Sequence, residues 1–285
     1  MKAHHKVFSV ERMAKVLEVS KSGYWAWFFR PESRQKKERR YLDVLVKAAF
    51  ESRYSLYGSE KIRRELLARG NPYTRSRVAD SMRRQGLRSK VRKKFVVTTD
   101  TKHNLKASPN LLNRKFKVDR PNKVWTSDIT YLRSRAGWLY LVVFLDLFSR
   151  RIVGWCVSTS LGHETVLTAL SGAIWQRRPE PGLMIHSDRG IQYCCDGFRE
   201  AIDEHQFVQS MSRKGNCWDN AVTESFFRSL KTEWMYHVDL DDLEHAQREL
   251  FEYIELFYNK QRLHATLDYV SPANFEKISK QQNVA

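Results

Sequence analysis

The chain has 285 residues, 42% of them hydrophobic, which suffices for one substantial domain with smaller companions and argues against wholesale disorder. No apolar run approaches the roughly eighteen residues of a membrane span, and the start Met1-Lys2-Ala3-His4-His5-Lys6 leads into a polar amphipathic segment, so a cytoplasmic location is expected. The net charge of +18 is uneven: residues 1–120 carry 32 Lys and Arg against 11 Asp and Glu, whereas residues 121–285 carry 18 against 21. An excess of that size confined to one part of the chain points to a phosphate-backbone partner for that part. Cys156, Cys194, Cys195 and Cys217 form no C-x-x-C pair and have no matching histidine pair, so a zinc module is not read; they are expected to be reduced thiols, with Cys156 in the core.

In chain order, Ser9 is a candidate cap for a helix from Val10 to about Leu17, followed by a turn at Glu18-Val19-Ser20 and a second helix from about Lys21. This suggests a helix-turn-helix-like segment over residues 1–40, anchored by Trp25, Trp27, Phe28 and Phe29; a plain helical hairpin is the alternative. Residues 41–95 read as a basic helical DNA-binding domain, with helices near 41–53, 59–69 and 75–85. The middle helix has an apolar stripe of Ile62, Leu66 and Leu67. The third, after Thr74, places Val78 and Met82 on one face and Arg75, Arg77, Arg83 and Arg84 elsewhere, the layout of a recognition helix and equally of a solvated basic one. Arg88, Lys90, Arg92, Lys93 and Lys94 extend the basic surface, and 96–121 reads as a basic linker.

After Pro121 the pattern turns to strands. Val124–Leu132, Trp138–Leu147 and Arg151–Ser158 are rich in β-branched and aromatic residues and punctuated by turn signals. A helix near 164–176, a short strand Leu183–His186, and helices near 195–205, 220–236 and 241–258 follow. That order is the one of a ribonuclease H-like α/β domain over 122–240, with a C-terminal helix and tail over 241–285.

Asp128 lies inside the first of these strands, where a carboxylate needs a compensating partner or cation, and Asp188 ends the fourth strand, where open α/β sheets place ligand sites. At about 100° per residue from Glu224, Asn220 falls at about −40°, Arg228 at about +40° and Lys231 at about −20°. Val222, Phe226 and Leu230 fall at about 160°, 200° and 240°, so the helix is expected to bury that side and turn Glu224, Arg228 and Lys231 toward a common site. Three carboxylates from two strands and a helix suit two hard divalent cations, Mg²⁺ first and Mn²⁺ as a substitute.

Thirty-five residues separate Asp188 from Glu224, a spacing that resembles the D,D(35)E signature of insertion-sequence transposases and retroviral integrases. The words Asn113-Arg114-Lys115-Phe116, Trp125-Thr126-Ser127-Asp128-Ile129-Thr130-Tyr131 and His186-Ser187-Asp188-Arg189-Gly190-Ile191-Gln192-Tyr193 strengthen the likeness. So do Gly215-Asn216-Cys217-Trp218-Asp219-Asn220-Ala221-Val222-Thr223-Glu224 and Tyr258-Asn259-Lys260-Gln261-Arg262-Leu263-His264 with Ser271-Pro272. Together they resemble the second-frame protein of insertion-sequence family three. The resemblance implies a DNA transposase that cuts at terminal inverted repeats and transfers a 3′-hydroxyl to another strand, by copy-out-paste-in. It implies Asp128, Asp188 and Glu224 as metal ligands, Lys231 as a DNA contact near the reacting phosphate, and Gln192, Asn216, Trp218 and Asn220 as residues that shape the site. Ser212-Arg213-Lys214 looks like a DNA-facing entry to the glutamate helix. Expected partners are double-stranded DNA, further copies of the chain and the upstream-frame protein, as fusion or partner; no membrane is expected. Two other readings stay open on the residues: a catalytically idle DNA-binding regulator, and a nuclease that cuts RNA in hybrids.

Overall fold

The computed structural model describes residues 1–90, 108–213 and 217–282, with the backbone alone for Cys217 and Trp218. It divides into two compact units, Met1–Ser89 and Lys90–Ala285. Basic positions Arg92, Lys93, Lys94 and Lys214, together with Asn216 and the Trp218 side chain, lie outside the described residues.

The first unit is all helical. Ser9 caps α1 (Val10–Val16) by accepting from Arg12 N, and Ser20 caps α2 (Lys21–Phe28) by accepting from Gly23 N. Tyr24 is buried among Trp25, Trp27 and Phe28, but Trp27 and Phe29 are more than half exposed, so the aromatic cluster anchors α2 only in part. The next helix, α3 (Arg34–Glu51), begins well before residue 41. Its first two turns are a charged run with no apolar period to reveal them, and Ser33 starts the helix by accepting from Lys36 N.

Helices α3, α4 (Ser59–Ala68) and α5 (Arg75–Arg84) enclose a core of Leu42, Val46, Phe50, Ile62, Leu66 and Val78. Leu67 departs from the expected stripe: it is 45% exposed. Five residues beyond Ile62 it sits about 140° round the helix, while Glu65 turns inward and is held by Arg53 and Arg69.

The second unit is built on a five-stranded sheet in the order β3-β2-β1-β4-β5. Strands β1 (Val124–Ser134), β2 (Gly137–Asp146) and β3 (Ile152–Ser158) form an antiparallel meander, and β4 (Met184–Ser187) and β5 (Val208–Met211) add parallel strands beyond β1. Strand β5 has no counterpart in the sequence reading. Helix α6 (His163–Arg177) packs on β3 through Gly154, where a Cβ would run into the Ala169 carbonyl and the Ala173 side chain. One face of the sheet carries the apolar core, including Trp125, Phe144, Val166, Leu170, Ile185 and Phe198. Short α7 (Ile191–Cys194) and then α8 (Asp196–Glu204) close that side. Cys194 is buried, whereas Cys156 is only half-buried, packed against the core's margin.

Helix α9 (Ala221–Glu233) is followed by α10 (Leu243–Phe251), which continues as a π-helical stretch, Glu252–Tyr258, and finally by α11 (Pro272–Gln282), a helix absent from the sequence reading. This C-terminal segment is locked to the sheet. Asn259, buried, accepts from Ile152 N at 3.0 Å and donates to Ile152 O at 2.9 Å, standing in for a neighbouring strand. Buried Glu276 on α11 accepts from Arg177 of α6, from Arg151 and from Ser149. No helix among the described residues is long and apolar enough to cross a membrane.

Candidate active site

The register of the sheet sets the first two carboxylates side by side. β1 and β4 run parallel with Thr126 opposite His186, so two residues further along the chain Asp128 and Asp188 reach corresponding positions on neighbouring strands. Asp128 is half-buried, and its Oδ1 accepts from Ile129 N at 2.8 Å. Just past the end of β4, Asp188 closes a tight turn through Oδ1, which accepts from Gly190 N at 2.9 Å. A Cβ at position 190 would stand 3.0 Å from that same oxygen, so the turn favours glycine.

Thr126 and Asp128 share one face of β1, because side chains alternate along a strand. Helix α9 lies against that face: the Thr223 and Thr126 hydroxyls pair at 2.7 Å, and Asn220 donates to the Ser127 carbonyl at 3.2 Å. Glu224, next along α9, therefore comes to the aspartate side of the sheet. Behind β1, on the opposite face, Ser127 pairs with the buried Tyr193 hydroxyl at 2.7 Å and fixes the strand against α7.

The charges of these groups act on one another. Burial raises the Asp128 carboxyl well above its usual range, the like charge of Asp188 adds to the rise and Glu224 contributes, while Lys231 opposes it. Glu224, on the solvent side, is raised by partial burial, with Arg228 opposing. Lys231 is half-buried; desolvation lowers its ammonium and Asp128 counteracts. Two neighbouring carboxylates, the strand one raised by the charge of the other, make a donor set short of positive charge, and hard oxygen ligands of this kind fit a divalent cation. Among the described residues, no three His, Cys, Asp or Glu side chains are gathered closely enough to hold a metal ion together.

The remaining sequence-stated positions fall in several places. Asn220 does not share the open face with Glu224: it is buried, donating to β1 and accepting from Thr223 at 3.0 Å. The reason is that Asn220 precedes α9 with φ −117° and ψ 22°, so helical spacing does not extend to it. Phe226 and Leu230 are buried as expected, but Val222 is only half-buried, and Thr223 and Phe227 widen the inward sector. Gln192 is half-buried and donates to the Leu161 carbonyl at 3.1 Å, bracing α7 against the entry to α6. Arg213 is half-exposed but directs its guanidinium to Asp219, with Nε at 3.0 Å and Nη2 at 2.9 Å. In the first unit Arg75, Arg77, Arg83, Arg84, Arg88 and Lys90's neighbour Ser89 differ in use: the five arginines are on the surface, Arg77 pairing with Glu38, Arg83 with Asp80 and Arg84 with Asp43. Lys90, at the start of the second unit, is exposed.

Several residues around the site escaped the sequence reading. Asp219, Thr223 and Tyr193 lie within the quoted words, yet nothing in their spacing distinguishes a support from a bystander. Behind α9, Arg262 donates to Glu233 at 2.7 and 2.6 Å and to Ser229 at 3.1 Å, and Tyr253 donates to Glu233 at 2.9 Å. The only signal for that clamp was Arg262 in the C-terminal word.

Comparison with known proteins agrees with this architecture. Two models described as Integrase core domain match residues 118–217 and 224–279, and one described as HTH-like domain matches residues 36–95. Transposase InsF for insertion sequence IS3A of Escherichia coli (strain K12) is 40% identical over 275 residues, covering 96% of each chain. Transposase InsF for insertion sequence IS3fB of the same organism is 39% identical over 284 residues, 99% of this chain and 97% of its own. Among solved structures, the simian T-cell lymphotropic virus intasome in complex with PP2A regulatory subunit B56 gamma aligns at TM-score 0.48 and 17% identity, over 75% of this chain and 70% of that one. The HTLV-2 integrase catalytic core domain in complex with magnesium, dimeric form, aligns at TM-score 0.43 and 17% identity, over 55% and 97%. By its near full-length identity to the InsF proteins, the chain belongs to the IS3 family of insertion-sequence transposases.

Proposed function

We propose that Asp128, Asp188 and Glu224 form a metal-dependent site for donor-strand cleavage at insertion-sequence ends and for transfer of the freed 3′-hydroxyl to another DNA strand. The observation that supports this is the register of β1 and β4, which pairs Thr126 with His186, each two residues before one of the aspartates, beside the helix bearing Glu224. These three would hold Mg²⁺, or Mn²⁺ in its place, as two ions per site. When bound, the ions would supply Lewis-acid activation of the attacking oxygen and would stabilise the leaving oxygen.

The chain's own residues orient the DNA. In the transfer step the 3′-oxygen forms a new bond to phosphorus as the bond from that phosphorus to the target's 3′-oxygen breaks, so no covalent protein intermediate is required. Lys231, half-buried beside Asp128, offers an ammonium to the phosphate, with Arg228 further out along α9. Arg213 and Lys214 extend the contact at the entry to the helix, Gln192, Asn216 and Trp218 shape the site, and buried Asn220 shapes it from behind by its bond to β1. Arg75, Arg77, Arg83, Arg84, Arg88, Lys90, Arg92, Lys93 and Lys94 bind duplex, terminal repeat and target alike through phosphate. Residues 1–40 act with 41–95 as the DNA-holding part, 96–121 as the linker, 122–240 as the catalytic core and 241–285 as its C-terminal support. Synapsis of two ends calls for a homodimer or larger assembly on DNA, with the upstream-frame protein as fusion or partner, in a copy-out-paste-in pathway in the cytoplasm.

The test uses the full chain, alone and joined to the upstream-frame protein, with duplexes ending in the element's own terminal sequence and Mg²⁺ or Mn²⁺. Asp128→Asn, Asp188→Asn and Glu224→Gln are each expected to abolish cleavage and joining while leaving the salt dependence of duplex binding intact, because none removes a basic group. Retained joining, or binding lost in step with chemistry, refutes the assignment.

A further inference from the structure

One buried carboxylate links all three elements that bear the candidate ligands, although it does not itself face them. Asp219 has no exposed surface and lies in the turn Cys217–Asn220 that opens α9. Its carboxylate accepts from Asn110 Nδ2 at 2.8 Å, Arg114 Nε at 2.9 Å and three donors of Arg213: the backbone N at 3.0 Å, Nε at 3.0 Å and Nη2 at 2.9 Å. The Arg213 guanidinium is the largest influence holding the carboxyl far below its usual value; burial opposes it, and the Arg213 N–H and Arg114 reinforce it.

From this hub the connections run both ways. Toward Asp188, the residue before Arg213 is Ser212, whose N–H donates to the Ser187 carbonyl at 2.9 Å and whose carbonyl accepts from Arg189 at 2.8 Å. Toward Asp128, the residue after Asp219 is Asn220, which donates to the Ser127 carbonyl; Thr223 then bonds Thr126, and Glu224 follows. A third arm reaches the chain ahead of the sheet, since Asn110 and Arg114 precede β1 and Leu111 N donates to Ser210 on β5 at 3.0 Å.

We propose that Asp219 is a positioning residue for the transposition chemistry, fixing Glu224 opposite Asp128 and Asp188 by tying the turn before α9 to Arg213 and to the 110–114 segment. The proposal rests on the reading of Glu224 as a metal ligand. A carboxylate gathering this many charge-assisted donors holds the turn in one place, and preorganised ligands bind cations more tightly than ligands that must be brought together.

The full-length protein is titrated with Mn²⁺, reading the free ion by electron paramagnetic resonance, and joining is then measured across Mg²⁺ concentrations. Asp219→Asn turns one acceptor into a donor that confronts Arg213, and Arg114→Met removes one donor from a half-exposed position and carries less risk to folding. Both are expected to weaken Mn²⁺ binding and to raise the Mg²⁺ needed for half-maximal joining by about 10-fold, the scale on which supports of metal ligands act. Arg114→Lys recovers part of the loss seen in Arg114→Met. A smaller folded fraction lowers the binding amplitude and shifts neither affinity nor half-saturation, so it does not imitate this result; if Asp219→Asn fails to fold, Arg114→Met decides. Glu224→Gln is run alongside. Wild-type Mn²⁺ binding and joining by Glu224→Gln would remove the ligand reading itself. Loss of both there, with wild-type affinity and half-saturation in the folded Asp219→Asn or Arg114→Met protein, overturns the positioning role alone.

Discussion

Replacing Asn259 by alanine strips two partners from one backbone position in the sheet. Asn259 is 1% exposed and its amide satisfies both Ile152 N–H and Ile152 C=O, at the start of edge strand β3. Ile152 is itself 1% exposed, so water does not readily replace either bond. An unsatisfied buried backbone group costs about 1–3 kcal/mol, so losing two places the penalty at about 2–6 kcal/mol. In a unit of this size each kcal/mol moves Tm by about 2–4 °C, so even the lower bound gives a fall of at least about 4 °C. Thermal unfolding of the full chain by circular dichroism measures this. Amide hydrogen exchange localises it, with Ile152 expected to lose protection before the central strands do. Asn259→Leu keeps the volume but restores neither hydrogen bond, and should fall with Asn259→Ala. If Asn259→Leu unfolds at the wild-type temperature, the side chain acts as filler and the strand-surrogate argument is wrong.

Two further outcomes follow from the buried charges of the C-terminal segment. Arg262→Met takes the guanidinium away from Glu233, buried beside Tyr253; removing one partner of a buried pair costs about 3–5 kcal/mol. The double variant Glu233→Gln with Arg262→Met should recover a measurable share, whereas additive losses in denaturant unfolding would deny the coupling. For Glu276, burial pushes the carboxyl up, but Arg177 first and then Ser149 and Arg151 outweigh it and leave the group below its usual value. A depressed carboxylate stabilises the fold above its unfolded value of about 4.3, and this contribution is lost as pH falls through the folded value. The stability gap between wild type and Glu276→Gln should therefore be constant near neutrality and narrow below about pH 4; a gap that widens there contradicts the sign.

The fold was legible where burial is apolar. Val124–Ser134, Gly137–Asp146 and Ile152–Ser158 announce themselves through β-branched and aromatic residues between turn signals, and none of their ends lies more than two residues from the expected one. Strand β5 stayed hidden because half of Val208–Met211 is polar: Gln209 donates to the Tyr193 carbonyl, and Ser210 is fully buried to serve His186, Leu111 and Leu112. The charged start of α3 was hidden for a different reason, since helix there follows from a cap and continuity with the apolar turns beyond it.

The same division explains which part of the site could be read. The carboxylates were visible because acidic residues in a strand, at a strand end and on an amphipathic helix conflict with the local pattern. Their supports obey no such contrast. Thr126, Ser127, His186, Ser210, Asp219 and Thr223 are each fully buried and polar, and each is satisfied by a residue far along the chain. In sequence these positions look like interruptions of an apolar run; only the fold shows that they meet one another. His186 illustrates the consequence: burial between Ser210 and Ser212 lowers its imidazole to about 4, so it remains a neutral hydrogen-bonding strut near neutrality rather than a proton carrier. A polar frame of this kind contributes less to stability than the apolar face opposite it, but each member restricts the others to one arrangement. The positions of Asp128, Asp188 and Glu224 are thus set less by the residues flanking them than by buried hydrogen bonds between β1, β4, β5 and the start of α9.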